Sequence, residues 1–309
     1  MNGEYVNTPI TIPRSSLKLI NVMSITMSEY KPSASEVNKL RQETGAGMMD
    51  CKKALEETNG DFEAAKDFLR KKGAKIAAAR QDRDSNEGVV IARASADGKR
   101  GVIIELNCET DFVAKNAEFV AFANAIANLA VENKPADIEA LNELSIDNEI
   151  TKVKIGDAII DKTGKIGEKI GISKYIVVEG EKVIAYIHGN FRLAVLVALS
   201  ANVAGADEAG KDVAMQIAAM NPVAIDKDGV DATTITRELE IAKEQTRLEG
   251  KPEEMVEKIA AGRLNRFYKD STLLNQEFVK DPSKSVAQFL STVDKGLTVT
   301  DFKRIALGA

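Results

Sequence analysis

Val89-Val-Ile-Ala-Arg-Ala-Ser95, Ala96-Asp-Gly-Lys-Arg-Gly101 and Val102-Ile-Ile-Glu-Leu-Asn-Cys108 read in succession as strand, turn and strand. The apolar period here is two, and the intervening Asp-Gly-Lys is turn chemistry, so the stretch predicts a β-hairpin. Behind it, Phe119, Phe122, Ile126 and Leu129 recur at helical spacing. The same order returns 94 residues later: Val183 to Gly189, a turn at Gly189-Asn190-Phe191, Arg192 to Ser200, then a helix striped by Val213, Ile217 and Met220. Two hairpin-plus-helix units, each with one sheet face covered by helices, predict an α+β core built as an internal pseudo-repeat. Between them, residues 134–180 carry at least one helix, a turn-rich stretch (KTGKIGEKIG) and a strand at Tyr175–Gly180.

Outward from this core the pattern changes twice. Towards the N-terminus, residues 31–73 predict a head of three short helices. Ser33 and Glu36 form a capping box ahead of Val37 and Leu40, with Gly45 as the stop. Met48, Cys51 and Leu55 stripe the second helix, Asp61 caps the third, and Gly73 closes it. Residues 74–88, charged and alanine-rich, predict a partly helical linker. Residues 1–30 contain Pro9 and Pro13 and no apolar period, and are expected to be a disordered extension. Beyond the second unit, Ile235, Leu239 and Ala242, then Val256, Ala260, Leu264 and Phe267, stripe two helices about a turn at Glu249–Pro252. This predicts a helical hairpin inserted at 230–269, an arm suited to contact a partner or its own copy. The core then divides into 89–180 and 181–309.

Composition removes several function classes. The formal charge of −5 and an aromatic content of 5% without tryptophan are poor credentials for gripping nucleic acid. One histidine, His188, leaves little for acid–base or zinc chemistry. Two cysteines without a Cys-x-x-Cys spacing are expected to be reduced, which with the lack of any membrane-length apolar run points to the cytoplasm.

Three stretches invite chemistry. Gly205-Ala-Asp-Glu-Ala-Gly210-Lys211 has phosphate-loop spacing, but Asp212 replaces the magnesium-binding hydroxyl, and Asp207 and Glu208 would repel phosphate. Glu105, Asn107, Glu109 and Asp111 alternate with apolar residues. Carboxylates two apart on a strand lie ~6.5–7 Å apart, suited to acid–base work, and a solvated outer face gives the same pattern. Thr110-Asp111-Phe112-Val113 is bulky where the second unit has Ala201-Asn-Val-Ala-Gly205. Phe112 is therefore either a core anchor or the tip of an interface wedge. His188, before Gly189, reads as structural or surface. Met48-Met49, after Gly45-Ala-Gly47, fits the core or an adaptable contact.

Leu40-Arg-Gln-Glu-Thr-Gly-Ala-Gly-Met-Met-Asp-Cys-Lys-Lys-Ala-Leu55 and Asn107-Cys-Glu-Thr-Asp-Phe-Val-Ala-Lys-Asn116 resemble the two signatures of bacterial elongation factor Ts, and with His188-Gly189 and the arm the likeness spans residues 33–309. The resemblance implies a guanine-nucleotide exchange factor for the translational GTPase elongation factor Tu, without cofactor, metal or covalent step. It implies a ubiquitin-associated-like head, two similar core subdomains and a coiled-coil arm, which also offers a homodimer contact. Carried over by motif, Thr110, Asp111, Phe112 and Val113 would displace magnesium in the GTPase, and Met48, Met49, His188 and Gly189 would make further contacts. The competing expectations are an adaptor without exchange activity and an enzyme using Glu105, Glu109 and Asp111.

Overall fold

The computed structural model describes residues 30–148 and 151–308; apart from Tyr30, the expected extension lies outside them. The head comprises α1 (Ala34–Thr44), α2 (Met48–Glu57) and α3 (Phe62–Ala79). The Ser33–Glu36 capping box forms, Gly45 ends α1 at φ 65°, and the Asp61 carboxylate caps α3. Val37, Leu40, Cys51, Ala54, Leu55 and Ala65 make its small core.

The remaining elements are β1 (Glu87–Ala94), β2 (Arg100–Cys108), α4 (Asp111–Ala114), α5 (Ala117–Asn133), α6 (Ile138–Asn142), β3 (Ser145–Asn148), β4 (Thr151–Lys154), α7 (Ile155–Ile166) and β5 (Gly171–Glu179). There follow β6 (Lys182–His188), β7 (Leu193–Leu199), α8 (Ala206–Met220), α9 (Ala232–Leu248), α10 (Glu253–Ser271), β8 (Glu277–Phe278), β9 (Asp281–Ser285), α11 (Val286–Val293) and β10 (Val299–Ala306). Both hairpins form, and each gains a third antiparallel strand on its second member, giving sheets ordered β1-β2-β5 and β6-β7-β10.

The sheets stack on each other. Val89, Ile91, Val102, Ile104 and Leu106 face α5, where Phe119, Ala123 and Ile126 cover them. On the opposite face Val90, Ala92, Ile103 and Val178 meet Val183, Ala194, Leu196 and Ala198 of the second sheet. The outer face of that sheet, with Val195, Val197 and Leu199, is covered by α8 and α11. Helix, sheet, sheet and helix thus form four layers, which is why β2 and β7 are buried on both faces.

This stacking corrects the solvated-face expectation for β2. Glu105 and Asn107 point between the sheets and are only 3% and 5% exposed. Asn107 Nδ2 donates to Glu105 Oε1 at 3.0 Å, and Lys174 Nζ lies 3.1 Å from Oε2. Two further expectations are revised at the stripe ends: Met48 is 52% exposed, and Met220 is also exposed.

Gly73 does not end its helix. It is buried inside α3, where that helix crosses α7, and a Cβ placed on Gly164 of α7 would come within 2.5 Å of the Gly73 Cα. Two glycines let the backbones approach closely, so α3 of the head packs on α7 of the core; α3 itself runs on to Ala79. The arm helices α9 and α10 pack on each other through Ala242, Thr246, Val256 and Ala260. Its base is held where Ala224 bridges Thr272.

Candidate functional site

β2 ends at Cys108, and the chain turns at once into α4, a single helical turn. Thr110 caps it, its hydroxyl accepting from the Val113 N–H at 3.5 Å, and the Cys108 thiol donates to the Thr110 carbonyl at 3.1 Å. Val113 packs against the core and Ala114 is buried, so one side of the turn is anchored. Phe112 lies on the other side and is 83% exposed. The core-anchor alternative for Phe112 is therefore wrong, because Val113 and Ala114 do the anchoring. Asp111 pairs with Lys115 Nζ at 2.6 Å, and that hydrogen bond holds its carboxyl below the usual range.

The segment is braced from a distance. Thr110 donates from its N–H to Glu168 Oε2 at 3.0 Å and from its hydroxyl to Glu168 Oε1 at 2.7 Å. Its neighbour Glu109 accepts from the Lys169 N–H and from Arg80 Nη1, both at 2.7 Å. The Lys169 hydrogen bond leads in holding the Glu109 carboxyl below its ordinary value, with Arg80 adding to it. Lys169 Nζ donates onward to the carbonyls of Gln81 and Arg83.

The carboxylates at 105, 109 and 111 do not converge. Each has its own cation, Lys174, Arg80 or Lys115, and Glu105 is sealed between the sheets, so they form no acid–base pair. Nor does the Gly205–Lys211 stretch form a phosphate cradle. Gly205, at φ 83°, starts α8; Gly210 and Lys211 lie within the helix, where a Cβ on Gly210 would run into Ile184 and Leu199. Asp207 pairs with Lys182 at 2.7 Å. Among the described residues, no three His, Cys, Asp or Glu side chains are grouped to hold a metal ion.

The other residues singled out from the sequence sit on separate elements. Met48 and Met49 open α2, and Met49 is 71% exposed, so both methionines face solvent. His188 is exposed at the end of β6, its Nδ1 2.9 Å from the Tyr186 hydroxyl. Gly189, Asn190 and Phe191 all have positive φ and reverse the chain into β7. The Phe191 carbonyl accepts from the Val90 N–H at 2.7 Å, which fastens this turn to the first sheet.

A family model described as Elongation factor TS matches residues 109–309, well over half the chain. The chain belongs to the elongation factor Ts family. Curated relatives agree: elongation factor Ts of Cytophaga hutchinsonii is 58% identical over 277 residues, covering 89% of this chain and 98% of that protein. The elongation factor Ts of Christiangramia forsetii is 52% identical over 278 residues, with 90% and 99% covered, and that of Chloroherpeton thalassium 46% over 271, with 87% and 94% covered. For this elongation factor Ts family member, sequence reasoning missed Arg80, Glu168 and Lys169. Glu168 and Thr110 are 58 residues apart, and no local periodicity marks such a pair.

Proposed function

We propose that the chain is a guanine-nucleotide exchange factor of the cytoplasm that binds elongation factor Tu and speeds GDP release during translation elongation. Family membership over nearly the whole length of the relatives supports this reading. The observation that carries the mechanism is Phe112, a large apolar side chain held in water by an anchored turn. Leaving ~80% of a phenylalanine exposed stabilises nothing in the free protein, whereas a central aromatic is the usual anchor of an interface.

In the GTPase, Mg²⁺ requires near-octahedral ligation and bridges phosphate oxygens to protein ligands. Phe112, with Asp111 beside it, wedges against the nucleotide domain and shifts those ligands, which weakens magnesium and then GDP. By linkage, nucleotide weakens the grip of the exchange factor equally. No covalent bond is made, and no cofactor is needed. The three-helix head, with Met48 and Met49, docks on the same domain; His188 and Gly189 meet another part of the partner. Residues 89–180 and 181–309 act as two similar subdomains that hold these contacts apart, and the coiled arm offers a surface for a second copy.

Release of fluorescent GDP from elongation factor Tu, followed with and without the protein, tests the reading. Acceleration at substoichiometric amounts is expected. Tight binding without acceleration would instead identify an adaptor.

A further inference from the structure

We infer that Glu168 is a positioning residue for the Phe112 wedge, acting through Thr110; the inference rests on the exchange reading above. An isolated four-residue helix has no stability of its own, because nucleation costs more than one turn returns. The direction in which α4 presents Phe112 must therefore be set from outside. Packing of Val113 and Ala114 supplies one constraint. Glu168 supplies the other: both its oxygens accept from Thr110, one from the backbone N–H and one from the hydroxyl.

The second bond has a local consequence. A threonine hydroxyl carries one proton. With that proton committed to Glu168 at 2.7 Å, the oxygen presents its lone pairs towards the Val113 N–H, the capping arrangement of α4. Glu168 thus fixes the backbone and the rotor at the residue from which the wedge turn starts.

The neighbouring pair reciprocates. Glu109 accepts from the Lys169 N–H while Glu168 accepts from the Thr110 N–H, so the dipeptides 109–110 and 168–169 clasp each other. Arg80, just past the end of α3, joins through Glu109, and the Lys169 ammonium holds the carbonyls of Gln81 and Arg83. The segment leaving the head helix and the base of the wedge therefore share one support. A preorganised wedge binds without first losing conformational freedom, and this is where the clasp acts on exchange.

The experiment is a cycle of Glu168→Ala and Phe112→Ala in full-length protein. GDP release from elongation factor Tu is measured over a range of exchange-factor concentrations, beside a thermal melt. Glu168→Ala is expected to lower kcat/KM about tenfold, the scale of one or two charge-assisted hydrogen bonds. In the Phe112→Ala background it should change kcat/KM less than twofold, because the residue acts only through the wedge. Glu168→Gln keeps an acceptor for the Thr110 N–H but can only donate to the Thr110 oxygen, so it should recover the backbone bond and part of the activity; Thr110→Val, which keeps the N–H bond and loses only the hydroxyl, should fall between wild type and Glu168→Ala. Amide exchange at Thr110, Val113 and Ala114 should speed up in Glu168→Ala while β2 stays protected. Normal exchange activity in Glu168→Ala, or an equal loss in both backgrounds, overturns the inference and leaves the wedge standing. Normal activity in Phe112→Ala overturns the wedge reading itself, and the inference with it.

Discussion

Replacing Phe112 by alanine separates an interface wedge from a structural side chain. Phe112 is 83% exposed, so about one sixth of its surface leaves water when the chain folds. Complete burial of such a side chain is worth about 1.5–3 kcal/mol, and the share realised within this protein is therefore under ~0.5 kcal/mol. For a chain of this size the melting temperature should fall by less than ~2 °C. The remaining area is free to be covered by a partner. Its loss removes about 2–3 kcal/mol from the exchange transition state, or roughly 30- to 150-fold in kcat/KM. A core phenylalanine would behave in the opposite way, costing ~3–5 kcal/mol of fold stability. Stopped-flow release of fluorescent GDP, titrated with magnesium and read beside a melt, measures both quantities. The deficit should be largest at millimolar magnesium and shrink as the metal is chelated, because the wedge then has less to displace. Wild-type exchange by Phe112→Ala, or a loss that follows a large fall in melting temperature, refutes the reasoning.

Gly164→Ala places a methyl against the Gly73 Cα and should push α3 off α7, costing about 1–3 kcal/mol and opening the chain to protease near residues 80–86. The Glu109 carboxyl titrates below its ordinary value because Lys169 and Arg80 hold it, so its contribution to stability is complete above a pH of about 4.3 and is lost as pH falls through the lowered value. The stability gap between wild type and Glu109→Gln in urea should accordingly be constant from neutral to about pH 5 and close in stronger acid; a gap unchanged at about pH 3 would contradict the assignment. Burial pushes the Cys108 thiol up to about 12 and raises that of Cys51, so native protein should resist iodoacetamide under conditions in which the urea-unfolded chain takes two labels. Replacing residues 233–268 by a short Gly/Ser turn should leave a cooperatively melting protein, since the residues the arm buries are buried in its own helix pair; failure to fold would show that the arm supports the core.

The features legible in the amino-acid order are those whose causes lie within a few residues. The Ser33–Glu36 box, the Asp61 cap and the Gly45 stop are each completed by atoms at most four positions away, and all three are present in the fold. Both hairpins followed from a period of two around a turn, and the arm helices from apolar spacing. The Thr110–Val113 motif was likewise visible, although its local pattern fitted a buried or an exposed Phe112 equally well.

Positions whose role depends on what arrives from elsewhere in the chain escaped. Gly73 has the local signature of a helix stop, yet the backbone of Gly164 makes it a crossing point. Glu105 and Asn107 have the alternation of a wet strand face. That face became dry because Val183, Ala194 and Leu196, roughly eighty to ninety residues further along the chain, bring a second sheet onto its neighbours. Alternation specifies which side chains share a face, and only the packed layers specify whether that face meets water. The clasp of Glu109 and Thr110 with Glu168 and Lys169 has the same origin: a hydrogen bond between residues 58 to 60 apart leaves no periodic mark, and its partners are brought together by the pairing of β5 with β2.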